Sequence, residues 1–206
     1  DLLLELLESS GAAGQLADEL RELLLGSSCS LNTRLLAHQN LLTIDYHDHR
    51  ADCMGLIDEG SQASLSIAAK LFLANGVHLI GRDALLSLLE SCSGLYFDWG
   101  SEAERFVVGE RYFINELVQI LDFEAIVWLL DKLAPQVVCK CGADDAYACN
   151  CRTGVSKVVG RLLDQYFKLR DDDSNDAAIL WSWMKGLNFH ESISLDTYES
   201  VVGLRA

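Results

Sequence analysis

The sequence predicts an all-α protein: a single domain spanning 1-206, folded as an irregular multi-helix bundle or helical stack, with a cysteine-rich loop inserted at 138-152. Three observations lead there. Half of the 206 residues are apolar and 23% are charged, the balance of a chain that buries a core rather than staying disordered. Proline, which most reliably interrupts helices, occurs once, at Pro135. Leucine recurs at three- and four-residue spacing between short Gly and Ser turns, the pattern of antiparallel helical neighbours.

Asp1 to Glu8 reads as a short helix broken by Ser9, Ser10 and Gly11. Over residues 12-25, Leu16, Leu20, Leu23 and Leu24 alternate with Asp18, Glu19 and Glu22, giving an amphipathic helix closed by Gly26. Asn32 or Thr33 is expected to cap a third helix reaching Leu42. Between Thr43 and Gly60 the periodicity fades and polar residues crowd together, so this stretch is expected to be a loop. Helical spacing resumes at Ser61 with Leu65, Ile67, Ala68, Leu71 and Phe72, and stops at Asn75 and Gly76.

The next helix, Arg82 to Cys92, carries Leu85, Leu86, Leu88 and Leu89. Ser101 and Glu104 fit a capping box, and Gly109 separates that short helix from another over Glu110 to Leu121. Asp122 is placed to cap a helix of Phe123, Ile126, Val127, Leu129, Leu130 and Leu133, apolar around much of its circumference and ended by Pro135. Val155, Val158, Val159, Leu162, Leu163, Tyr166 and Phe167 mark a further helix before the acidic run Asp171 to Asp173. Ser174 or Asn175 is expected to start the last helix, which holds Trp181 and Trp183. The signatures of ankyrin and tetratricopeptide repeats are missing, so no named solenoid is predicted.

Thirty-one acidic residues against 16 basic ones give a formal charge of −15, which repels polyanions at long range and disfavours nonspecific nucleic-acid binding. No apolar run approaches the roughly 18 residues that a membrane span requires. The chain opens at Asp1 rather than Met, as expected of a piece of a longer protein. Seven cysteines, an odd number, in a leucine-rich chain argue against a secreted disulfide framework and for a reducing intracellular compartment, nucleus or cytoplasm.

The sharpest chemical motif is VCKCGADDAYACNCR, which places Cys139, Cys141, Cys149 and Cys151 as two C-x-C pairs seven residues apart. Four soft thiolates suit tetrahedral Zn2+, and Gly142 helps the intervening loop bring the pairs face to face. The usual zinc knuckle has two or more residues between paired ligands, so the C-x-C spacing departs from it. A local disulfide pair, redox-reactive thiols and solvent-facing cysteines are the competing readings, and Cys53, Cys92 or a histidine could replace one thiol. A four-thiolate zinc leaves no open coordination position and would be structural.

A second cluster comprises Asp45, His47, Asp48, His49, Asp52 and Cys53, where His47 and His49 would face the same way in an extended segment. The His47-Asp48 pair on a helical background resembles the HD phosphohydrolases over those two letters. That resemblance would make His38 the upstream histidine and Asp131 the distant aspartate. The motif is short and its setting polar, so a solvated loop is the expected state, with an accessory zinc ligand from His47 or His49 as a further option.

Lys157, Arg161 and Lys168 share a face of the helix after the cysteine loop, with Arg152 just before it, which would allow phosphate contacts over 152-170. Asp164 within the stripe favours a solvated helix face instead. Trp99 and Trp128 read as core or interface anchors. Trp181 and Trp183 cannot share one helix face, so exposure of one as a partner-binding anchor is weighed against burial of both. No nucleophile elbow, P-loop, dinucleotide fingerprint or H-E-x-x-H motif occurs.

The reading that follows is a non-catalytic intracellular interaction or scaffold domain, stabilised by a structural zinc. It would bind a protein or peptide partner, including a helical one, or form a homodimer. A metal-dependent hydrolase using the His47-Asp48-His49 cluster, with His38 and a remote carboxylate around a catalytic ion, is the first alternative, and nucleic-acid binding through the 152-170 helix the second.

Overall fold

A computed structural model describes residues 2–94, 114–139, 152–170 and 177–187, and among these the chain forms helices joined by turns, with no strand. In order these are α1 (Leu2–Ser10), a 3-10 turn (Ala13–Leu16), α2 (Ala17–Leu25), α3 (Leu31–Leu42), α4 (His49–Glu59), α5 (Gln62–Asn75), α6 (Val77–Ile80) and α7 (Arg82–Gly94). Helical residues 114–119 (α8) follow, then α9 (Phe123–Leu133), a 3-10 turn (Ala134–Gln136), α10 (Thr153–Leu169) and α11 (Ala177–Met184). None of the helices among the described residues is long and apolar enough to cross a membrane. Contacts group the chain into two compact units, Asp1–Leu88 and Leu89–Ala206.

In the first unit α5 is the central helix. Leu65, Ile67, Ala68, Ala69, Leu71 and Phe72 are all buried, so it packs around most of its girth. Ser61 caps it by accepting a hydrogen bond from the Ser64 amide at 3.1 Å. The cap of α3 is Ser30 rather than Asn32 or Thr33, its Oγ accepting from the Thr33 amide at 3.1 Å. The helix expected over 12-25 is divided, with a 3-10 turn ahead of α2.

One buried cation ties four elements of this unit together. Arg34 of α3 donates through Nε to the Leu24 carbonyl at the end of α2 (2.8 Å). It also donates through both terminal nitrogens to Glu59 at the end of α4, at 3.0 and 2.6 Å. Glu59 in turn accepts from the Ser61 hydroxyl, the cap of α5, at 2.7 Å. A two-pronged guanidinium–carboxylate pair is the charge arrangement best able to offset the cost of leaving water.

The largest departure from the sequence expectation lies at 43-60. The loop is confined to 43–48, and α4 occupies His49–Glu59. Two local devices build it. Asp48 caps the N-terminus, its carboxylate accepting from the Ala51 amide at 3.0 Å. Gly60 ends it in the left-handed conformation at φ 65°. Cys53, Leu56 and Ile57 supply a short buried stripe at helical spacing, beside Asp52. That polar residue on the buried face broke the apolar period by which the helix would have been recognised.

In the second unit α9 and α10 form the framework. Ile126, Leu129, Leu130 and Leu133 of α9 are buried, as are Val158, Val159, Leu162, Leu163 and Tyr166 of α10. Helix α9 half-buries Val127 and Trp128 beside its buried residues and leaves Phe123 40% exposed. Asp122 caps it as expected, accepting from the Ala125 amide at 2.7 Å. The Ser101 and Glu104 capping box and the expected starts of the last helix at Ser174 or Asn175 lie outside the described residues, as does Trp99.

Candidate functional site

The turn before α4 and its first helical turn bring three ligand-type side chains together. His47 ends a turn in which its amide donates to the Ile44 carbonyl at 3.4 Å, with Tyr46 held at φ 67°. Asp52 follows His49 by three residues on α4, which puts both on one helix face. One donor atom from each of His47, His49 and Asp52 lies within 4.8 Å of the others. His47 Nε2 faces Asp52 Oδ2 at 2.5 Å, and the two imidazole rings meet edge to face with centroids 5.0 Å apart.

Asp52 is fully buried, and its second oxygen, Oδ1, accepts from Arg21 Nε of α2 at 2.7 Å. Arg21 went unnoticed in the sequence, because it lies 31 residues from its partner and in an ordinary amphipathic helix. Asp52 had a readable signal, the i, i+3 spacing from His49, but only if 49–59 is taken as a helix.

Behind the cluster, His38 of α3 is buried, and neither ring nitrogen has a hydrogen-bond partner. Burial, and then the neighbouring His49 and Lys70, push its pKa down to about 4, against a smaller upward pull from Asp52. His49 is shifted the same way, by burial first and by His47 second, and its Nδ1 is buried without a partner. Cys53 is wholly buried and its thiol is pushed up to about 12 by burial and by Asp52, which makes it an inert core residue.

The carboxylates nominated from sequence as catalytic partners are engaged elsewhere. Asp48 spends its side chain on the α4 cap, and Asp131 accepts from the Trp183 indole at 2.8 Å. Of the cysteine quartet, Cys139 is exposed just after the 3-10 turn, and Cys141, Cys149 and Cys151 lie outside the described residues.

The tryptophan pair divides as helix geometry requires. Trp181 is 59% exposed and Trp183 is 3% exposed. The Trp183 ring stands edge-on to Tyr166 at 5.3 Å, and Tyr166 stacks on Phe123 at 5.3 Å. Along α10, Arg161 reaches Asp164 at 3.4 Å, and Arg152 donates to the Gly186 carbonyl at 3.2 Å. A small polar cleft lined by Asn115, Gln119, Arg161, Asp164, Gln165 and Lys168 is therefore of mixed charge, not a continuous positive stripe.

The fold and cluster define a helical protein of two compact units, with a histidine–carboxylate constellation in the first. Comparison with protein-family models, curated proteins and solved structures finds no match to this chain.

Proposed function

We propose that the chain is a non-catalytic helical interaction module of the nucleus or cytoplasm, which holds a protein or peptide partner, or a second copy of itself, on the face bearing Trp181. The supporting observation is the division of labour on α11. Trp183 is buried and fixed by Asp131 and Tyr166, while Trp181 projects to solvent from the same short helix. A tryptophan on an anchored helix offers a large amphipathic surface and loses little freedom on binding.

The 138-152 loop belongs to this reading as a zinc-stapled excursion, with Cys139, Cys141, Cys149 and Cys151 as the four ligands. Its support is the spacing of the thiols and the donor preference of Zn2+. Hydrolysis is the weaker reading, because Asp48 and Asp131 are already engaged as cap and indole acceptor.

Trp181→Ala tests the interaction. The variant should keep its far-ultraviolet circular dichroism and lose at least about tenfold in affinity for the partner or in self-association, as expected for an aromatic anchor. An unchanged association constant would remove Trp181 from the interface. Cys139→Ser and Cys149→Ser should each abolish thiolate-bound zinc in elemental analysis of the purified chain, and full retention of zinc would rule the quartet out.

A further inference from the structure

The constellation at the start of α4 has more donor capacity than its hydrogen bonds consume. Arg21 occupies Asp52 Oδ1, leaving Oδ2 opposed to His47 Nε2. The His49 ring stands against that of His47, with its Nδ1 buried and without a partner. His38 of α3 is 4% exposed and has both ring nitrogens unpartnered. Interiors rarely leave ring nitrogens unsatisfied, and the capacity to ligate an ion is one of the few physical reasons to do so.

We propose that His47, His49 and Asp52 form a divalent transition-metal site of the zinc class. The two imidazoles and Asp52 Oδ2 are the ligands, and Arg21 orients the carboxylate through Oδ1. Two nitrogens and one carboxylate oxygen suit Zn2+, Co2+ or Ni2+, whereas Mg2+ and Ca2+ demand a shell of oxygens. An outer partner on the second carboxylate oxygen is what metal-bound carboxylates ordinarily have.

The geometry needs little change. Ligand atoms bonded to tetrahedral zinc at about 2.0–2.1 Å stand roughly 3.3 Å from one another. The His47–Asp52 contact of 2.5 Å would open, and the three donors, already within 4.8 Å, would close on a common centre. Both histidines are partly exposed, so an ion enters from solvent without opening the core. Three protein ligands leave a fourth position for water or an outside ligand. The site is independent of Trp181 and of the cysteine quartet.

Cobalt separates this site from the thiols, because thiolate ligation adds a charge-transfer band in the near ultraviolet that imidazole and carboxylate ligation lacks. The full chain carrying Cys139→Ser and Cys149→Ser, reduced and chelator-treated, is titrated with Co2+. The expected result is about one equivalent bound, with visible ligand-field bands and no thiolate band. Adding His49→Ala or His47→Gln should abolish these bands while the helical circular dichroism persists. Arg21→Met should weaken binding by roughly tenfold or more. Equal cobalt affinity with and without His49 and His47, or no binding by the parent at millimolar cobalt, would overturn the site. Either result leaves the Trp181 reading standing, and loss of that reading leaves this one untouched.

Discussion

An imidazole kept neutral by its surroundings makes stability depend on pH, and His38 is the clearest case among the described residues. Unfolded, it takes a proton near 6.5; folded, only near 4. Between those values the unfolded chain holds more protons, so acid favours unfolding. The contribution is whole above 6.5, declines as pH falls towards 4 and is absent below it. The separation corresponds to about 3 kcal/mol at full extent. His49, shifted in the same direction, adds to the loss over the same side of neutrality. Glu59 acts lower on the scale: the hydrogen bonds from Arg34 hold its carboxyl below the ordinary value, so its contribution is present above that value and disappears in stronger acid. Urea midpoints of chelator-treated protein should therefore fall between neutrality and pH ~5, and His38→Leu should flatten most of that slope. An undiminished slope in the variant would assign the effect to other groups.

At the scale of elements, helix ends carry much of the specification. Gly154, in the first turn of α10, has no room for a side chain, because a Cβ there would collide with the Ser93 backbone carbonyl at the end of α7. Gly154→Ala must push backbone against backbone. It should lower stability by roughly 1–3 kcal/mol, despite alanine's better helix propensity, in a denaturant titration. A variant as stable as the parent would mean that the two helix ends can separate without cost. The same scale shows what the sequence made legible. Helices α5, α9 and α10 declare themselves through unbroken apolar periods and through Ser61 and Asp122 as caps. Helix α4 stayed hidden because its buried face includes Asp52, whose charge is balanced by Arg21 on a distant element. The site was half readable for the same reason. His47, His49 and Asp52 stand close in the chain, but which carboxylate turns inward depends on Asp48 being taken as the cap. The cation that completes the arrangement is brought by folding alone.

At the scale of the whole chain, the surplus of acid decides how the protein responds to salt. Thirty-one acidic against 16 basic residues leave a net −15, and the compact state concentrates that charge more than the unfolded one. Among the described residues, the two ion pairs that tie helices together each have one partner out of solvent: Arg34 is 2% exposed against 20% for Glu59, and Asp52 is fully buried against 46% for Arg21. Screening at about 0.5 M NaCl, where the Debye length is roughly 4 Å, therefore weakens the long-range repulsion more than it weakens these short contacts. The melting temperature should rise by a few degrees between about 0.02 and 0.5 M NaCl, with a neutral osmolyte as control for solvent exclusion. The histidine linkage gives a check on the cause. Acidification towards the isoelectric point near 4.5 also removes repulsion, yet it protonates unfolded His38 and so costs stability. If repulsion sets the salt response, His38→Leu should lose much less stability than the parent on mild acidification, because only the smaller His49 linkage remains, while both respond to salt alike. A melting temperature that falls with added NaCl would place the balance with exposed ion pairs instead.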